Sequence, residues 1–154
     1  MLLCEVSLRY EAREQIRMTE NKNSKHYDLE ERTEEFARRV RILVRKLPKT
    51  LANNEDCKQL IRSSGSVGAN YIEANDALSK KDFVMRIKIS RKEAKETGYW
   101  LRLVDTGNDG RLEDERKELV QEARELMNIF GAILLNAALE GRNQSRKERN
   151  HGLH

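Results

Sequence analysis

Apolar residues recur at steps of three and four along four separate segments of this chain. These steps match the 3.6-residue turn of an α-helix and place the apolar side chains on one face. Charged residues make up 36% of the chain, aromatic residues only 5%, and Pro48 is the single proline. A sandwich or barrel needs more turn residues and more aromatic strand residues than this. The sequence therefore predicts an all-α protein, an antiparallel up-down-up-down four-helix bundle.

Capping and breaking residues predict where the helices begin and end. Asp28 can cap the first helix, and Pro48 ends it because proline lacks the backbone N–H that a helix requires. Asn53 or Asn54 can cap the second helix, and Ser79 can cap the third, with Asp82 at the third helical position.

The second helix contains an unusual run of small residues, Ser63 to Ser66, followed by Gly68 and Ala69. Each glycine costs about 1 kcal/mol of helix stability relative to alanine. Small residues allow two helices to approach closely, so we interpret the run as a tight helix crossing, with a loop as the alternative.

The remaining boundaries follow from loop signals. Thr106–Gly110 reads as a loop, the last helix runs from about residue 112 to 139, and Gly141 can form its C-cap. We expect residues 1–26 to be a poorly ordered extension, residues 27–140 to be the bundle, and residues 141–154 to be a basic disordered tail.

Charge alternates along the chain: the first and third helices and the tail are basic, whereas the second and fourth helices are acidic. Two explanations stay open, namely charge complementarity between helices and a face that binds a polyanion. No aromatic platform accompanies the cations in the sequence, so any nucleic-acid binding should depend on phosphates and be non-specific. The candidate contact residues are Arg38, Arg41, Arg45, Lys46, Lys88, Arg91, Lys92 and Lys95.

Several chemistries have no residues to support them. The histidines, His26, His151 and His154, lie outside the predicted helices, so neither a ferritin-like di-iron site nor a Ser-His or Cys-His nucleophile can be built in the bundle. There is no phosphate-binding loop motif. We therefore expect no enzymatic activity, no cofactor and no metal.

Cellular location is inferred from what the sequence lacks. No apolar run reaches the ~20 residues that a membrane span requires. Cys4 and Cys57 form no paired motif, and the N-terminus lacks a basic signal-peptide region. A cytoplasmic protein with reduced thiols and no membrane contact is expected.

Three ordered stretches resemble a known family. They are Ser66–Ala74, Ser79–Phe83 and Lys92–Leu101, and they are similar to the four-helix bundle proteins encoded in 23S rRNA intervening sequences. The resemblance implies a homo-oligomeric ring, usually a pentamer. The family is also similar to the accessory protein of diversity-generating retroelements, which implies RNA or DNA and a reverse transcriptase as partners.

The motif residues have two interpretations. Ser66, Asn70 and Glu73 share a stripe of the second helix, and Glu93 lies on the packed face of the third. They form either a structural polar network or a ligand site. The apolar arc of the third helix is wider than one core requires, which predicts that Tyr71, Trp100 and Leu103 lie between subunits.

Together these features predict a homo-oligomeric accessory protein that binds nucleic acid with low sequence specificity. The alternative is a scaffold that binds another protein and has no nucleic-acid activity.

Overall fold

The computed structural model describes residues 29–151, and this part of the chain is almost entirely helical. Its four helices are α1 (Leu29–Lys46), α2 (Leu51–Asn75), α3 (Lys80–Leu103) and α4 (Gly110–His151). The expected N-terminal extension, residues 1–26, and the expected cap Asp28 lie outside the described residues.

Each helix packs against its neighbours in sequence, and α1 also packs against α4. The backbones of the diagonal pairs stay apart, and core side chains such as Tyr71 of α2 and Phe130 of α4 meet between them. The α2–α3 and α3–α4 contacts are the most extensive, and the α1–α4 contact is the smallest. This cyclic arrangement with short loops is an up-down-up-down bundle, so the predicted fold is confirmed.

One apolar core runs through the bundle, with contributions from all four helices. Its largest fully buried side chains are Phe36, Leu43, Leu60, Ile87, Leu101, Leu119, Leu126 and Phe130. These residues recur at helical spacing within each element, so the apolar stripes of the sequence meet in the centre of the bundle.

The connection between α1 and α2 differs in one detail from the prediction. Helix α1 ends before Pro48 as expected, but the cap of α2 is Thr50, whose hydroxyl accepts from the Asn53 backbone N–H at 3.2 Å. The Asn53 side chain instead bonds both backbone groups of Asp105, each at 2.8 Å. Because Asn53 is buried, these bonds tie the α1–α2 connection to the end of α3.

Of the other two connections, the one before α3 has its predicted cap, whereas α4 begins at Gly110, about two residues earlier than predicted, with a cap that was not predicted. Ser79 caps α3 by accepting from the Asp82 backbone N–H. Asp109 caps α4 by accepting from Arg111 and Leu112. Gly107 and Asn108 have φ values of 66° and 61°, a left-handed conformation that favours glycine and asparagine.

The prediction for the end of α4 is wrong: the helix continues through Gly141 to His151. Gly141 lacks the positive φ of a glycine C-cap. The residues that follow include arginine, glutamine, lysine and glutamate, which are good helix formers, and no proline stops them.

The small residues of α2 lie within the helix, so the crossing interpretation is correct and the loop alternative is wrong. A Cβ atom built on Gly68 would lie 2.8 Å from Thr33 Oγ1 of α1, closer than real Cβ contacts allow. Of the two glycines of α2, Gly68 therefore makes the closer contact with α1.

Candidate nucleic-acid interface

The cations of α1 that face α4 are paired with its acids. Arg32 donates to Glu122 at 2.7 and 2.9 Å and to Glu125 at 2.7 Å. Arg39 and Lys46 pair with Glu118 and Glu115 at 2.7 and 2.8 Å. The pKa of Arg32 is raised, mainly by its hydrogen bond to Glu122. Along this contact, charge complementarity between helices explains the alternation seen in the sequence.

The other α1 candidates have different surroundings. Arg38 pairs with Glu34 and Glu35 of its own helix. Arg41 donates to the Ala37 carbonyl at 3.0 Å and lies beside Gly65 of α2. Arg45 is exposed and pairs with no described residue. Of the four candidates on α1, two are therefore already neutralised, namely Arg38 and Lys46.

Helix α3 presents a contrasting surface, which we call the α3 cation face. Lys88, Arg91, Lys92 and Lys95 are spaced by three, four and seven residues and so share one side of the helix, as predicted. Lys81 and Arg102 extend this side by one heptad in each direction, giving a length of about 30 Å at 1.5 Å per residue. Each of these side chains is exposed, and none forms an ion pair or side-chain hydrogen bond with a described residue.

Acidic residues of α3 lie on its other side, towards α2. Glu93 and Glu96 both face Arg62 of α2, with Glu93 Oε2 at 3.7 Å from the guanidinium. Asp82 is the third acid, at the N-terminal turn. None of these acids forms an ion pair with a cation of the α3 cation face, although Lys92 attracts the Glu93 carboxylate.

A shallow groove between α3 and α4 borders this face. Small residues of both helices form its floor, and a Cβ atom on Gly98 would lie 3.5 Å from the Ala123 Cβ. The groove encloses about 200 Å³, and its charged lining consists of Lys95, Arg102 and Arg124. Arg91 lies further along the same helix pair, beside Gly131.

Sequence reasoning missed Lys81, Arg102 and Arg124 as members of this surface. Lys81 and Arg102 could have been found from the sequence, because they continue the seven-residue spacing of Lys88 and Lys95. No pattern in the sequence pointed to Arg124, because it lies in the acidic fourth helix and joins the face only through packing of α4 on α3.

Sequence reasoning predicted no aromatic platform beside the cations, and it overlooked one exposed aromatic residue there. Tyr99 is 49% exposed and lies one helical turn from both Lys95 and Arg102. Its ring contacts Trp100 in a T-shaped arrangement, with centroids 5.0 Å apart. The α3 cation face therefore includes one accessible aromatic ring.

The signature polar residues do not form one network. Asn70 donates to the Ser66 carbonyl at 2.9 Å and accepts from Arg86 at 3.2 Å, linking α2 to α3. Glu73 is exposed and bonds no described residue. The buried polar contacts between these helices come instead from hydroxyls: Ser90 donates to the Val67 carbonyl, and Thr97 lies 3.0 Å from Ser63 Oγ.

Glu93, the fourth signature residue, is 8% exposed, and its Oε2 atom makes no hydrogen bond. Burial raises the pKa of this carboxyl, and the like charge of Glu96 adds to the effect, against the attraction of Arg62 and Lys92. The buried Nε atom of Arg86, two turns away on α3, also lacks a hydrogen-bond partner among the described residues.

The three residues expected between subunits have different environments. Tyr71 is half-buried and stacks at an angle on Phe130, with ring centroids 5.8 Å apart. Trp100 is half-buried and donates to Glu96 at 3.3 Å. Leu103 is 48% exposed. Leu103 therefore has the most apolar surface left for a contact with another molecule.

Other kinds of site find little support in residues 29–151. No group of three or more histidine, cysteine or acidic side chains there could hold a metal ion. No helix in that range is long and apolar enough to cross a membrane. Cys57 is half-buried, and burial raises the pKa of its thiol, which disfavours the reactive thiolate.

Comparison with known proteins decides the family. The model of the 23S rRNA-intervening sequence protein family matches residues 25–132. The chain belongs to this family. A solved structure from Bacteroides thetaiotaomicron, described as a protein of unknown function from the S23 ribosomal protein family, is similar to it with a TM-score of 0.57 and 31% identity. That match covers 68% of this chain and 96% of the other. The comparison with curated proteins returned no match.

Proposed function

We propose that the protein is a non-enzymatic, homo-oligomeric accessory protein that binds RNA or DNA with low sequence specificity through the α3 cation face. One observation carries the proposal. The cations of this face are exposed and unpaired among the described residues, whereas those of α1 that face α4 are held by acids.

The chemistry of the face suits a phosphate backbone. Lysine and arginine side chains contact phosphate oxygens and release condensed counterions, which supplies affinity without base recognition. The α3 cation face offers no amide or carboxylate for reading a base edge, because Glu93 and Glu96 of the same helix are directed to Arg62 of α2. Low sequence specificity follows from this composition.

Assembly would strengthen binding without any new type of contact. A single face about 30 Å long binds weakly, but a closed oligomer repeats it and gains effective concentration. Exposed apolar residues such as Leu103, Leu135 and Leu139 supply surface for subunit contacts. The ring expected from the family resemblance, usually a pentamer, is one such arrangement.

The proposal is tested by gel shifts of mixed-sequence RNA and DNA over a salt series, with light scattering of the same sample. We expect an oligomer at micromolar concentration and an affinity that falls steeply with salt on a log–log plot. If an assembled protein shifts neither nucleic acid at low salt, the face serves another purpose and the protein-binding scaffold replaces this function. A monomer at micromolar concentration contradicts the oligomeric part of the proposal.

A further inference from the structure

Tyr99 is the feature of the α3 cation face that phosphate binding does not use. It lies between Lys95 and Arg102 on the same side of the helix, and about half of its surface is exposed. One turn from Tyr99 lie the unpaired cations Lys95 and Arg102, and also Glu96, whose carboxylate is paired with Arg62 and bonded by Trp100. The Tyr99 ring is the apolar, planar element of a surface that otherwise offers charge.

The geometry of the ring leaves room for a planar ligand. The T-shaped contact with Trp100, at an interplanar angle of 74°, can cover at most one face of the tyrosine ring. Trp100 is itself held by its bond from Nε1 to Glu96 and by partial burial. Because Glu96 also pairs with Arg62, this bond links the aromatic pair to α2.

We propose that Tyr99 stacks against an unpaired base, so that the α3 cation face takes single-stranded nucleic acid in preference to duplex. This inference rests on the proposed function and adds the class of nucleic acid to it. Proteins that bind single strands without sequence preference combine a cationic track with an aromatic platform, because every base has a π-face. In a duplex the base faces are covered by their neighbours, so Tyr99 gains nothing from them.

The test compares three probes: an oligo(dT) strand, a strand of equal length made of abasic sites, which carries the same number of phosphates, and a duplex of the same length, which carries twice that number. A length of about ten nucleotides suits a single binding surface. We expect oligo(dT) to bind about tenfold more tightly than the abasic strand, which is the effect of roughly one stacked base. Equal affinities for the two strands, or tighter binding of the duplex, would overturn the inference.

Variants locate the effect. Tyr99→Leu should remove most of the preference for oligo(dT) over the abasic strand, and Tyr99→Phe should keep it within about twofold, since both phenylalanine and tyrosine present an aromatic face. Ile42→Ala, at an exposed position of α1 away from the α3 cation face, is the control. Equal loss of affinity for all probes in Tyr99→Leu, or dissociation of its oligomer in light scattering, would assign Tyr99 to folding or assembly instead.

A spectroscopic readout is independent of affinity. Trp100 is the single tryptophan of the chain and contacts Tyr99. A base stacked on Tyr99 should quench the fluorescence of Trp100. The abasic strand, even at saturation, should not. The charge variant Lys95→Glu with Arg102→Glu separates the two hypotheses: if it leaves all binding unchanged, the proposed function fails, and if it weakens every probe while Tyr99→Leu changes nothing, only the stacking inference fails.

Discussion

Helices α1 and α3 are both basic in sequence, yet they use their cations differently. In α1, Arg32, Arg39 and Lys46 reach across to glutamates of α4, so the charges contribute to packing of the bundle. In α3, the cations lie on the side that borders α4 but meet no acid there. The net charge of a helix therefore does not show whether its cations pair within the bundle or stay free. That depends on whether acids of the neighbouring helix lie beside them.

The same two regions differ in how closely the helices approach. Gly68 brings α2 into contact with Thr33 of α1, whereas the floor of the α3–α4 groove around Gly98 has ordinary contact distances. The α1 side of the bundle is thus built by close packing and ion pairs. The α3–α4 side keeps a shallow, positively charged groove.

The largest expected effect is on binding. Lys95→Glu combined with Arg102→Glu should weaken binding to RNA and DNA roughly 100-fold at low salt and flatten the salt dependence, because two phosphate contacts become repulsive. The matched variant, Arg39→Glu with Lys46→Glu, makes the same change in net charge on α1. It should alter affinity by less than about threefold. Gel shifts on samples shown to be folded by circular dichroism check both, and equal losses would break the contrast between the helices.

Because the two helix contacts are packed differently, two glycine substitutions should change the free energy of unfolding in opposite directions. Gly68→Leu should lower the free energy of unfolding by ~1–3 kcal/mol, because the side chain has no room beside Thr33. Gly98→Ala should instead leave stability unchanged or raise it by up to about 1 kcal/mol, since alanine favours helix and its Cβ fits against Ala123. Urea unfolding measures both. A stable Gly68→Leu variant would show that α1 and α2 can separate at little cost.

How much was predictable depends on the type of interaction. The helices, their apolar faces, the cap at Ser79 and the end of α1 before Pro48 depend on local spacing and chemistry, which the sequence displays directly. The cations of α3 were found for the same reason. The neutralised state of Lys46 and the part played by Arg124 depend on residues about 70 and 20 positions away, which only packing brings together. Asn53 was predicted to cap α2 because an asparagine that caps a helix and one that bonds a distant backbone segment look identical in the sequence.

Ion pairing on α1 gives a smaller test. Arg32→Ala should cost about 1 kcal/mol of stability, because it removes bonds to two glutamates that are only partly exposed. Arg91→Ala, on the α3 cation face, should change stability by less than about 0.5 kcal/mol, as expected for an exposed side chain without an ion pair. Chemical denaturation of the two variants compares them directly. Equal costs would mean that the pairing of α1 with α4 contributes nothing to the fold.

The smallest effect concerns Glu93, which lies on the α2 side of α3, opposite the cations. Its pKa is raised by burial and by Glu96, so the folded protein binds a proton there more tightly than the unfolded chain does. The stabilising contribution of that proton is present below the unfolded-state pKa of about 4.3 and is lost as pH rises through the folded-state pKa.

Glu93→Gln removes the charge, so the stability of this variant relative to the original protein should increase as pH is raised from about 4 to about 7. Glu73→Gln makes the same change at an exposed signature position and serves as the control. Urea midpoints at the two pH values give the result: a difference for Glu93→Gln that stays constant or shrinks towards pH 7 would mean that Arg62 compensates the buried carboxylate fully.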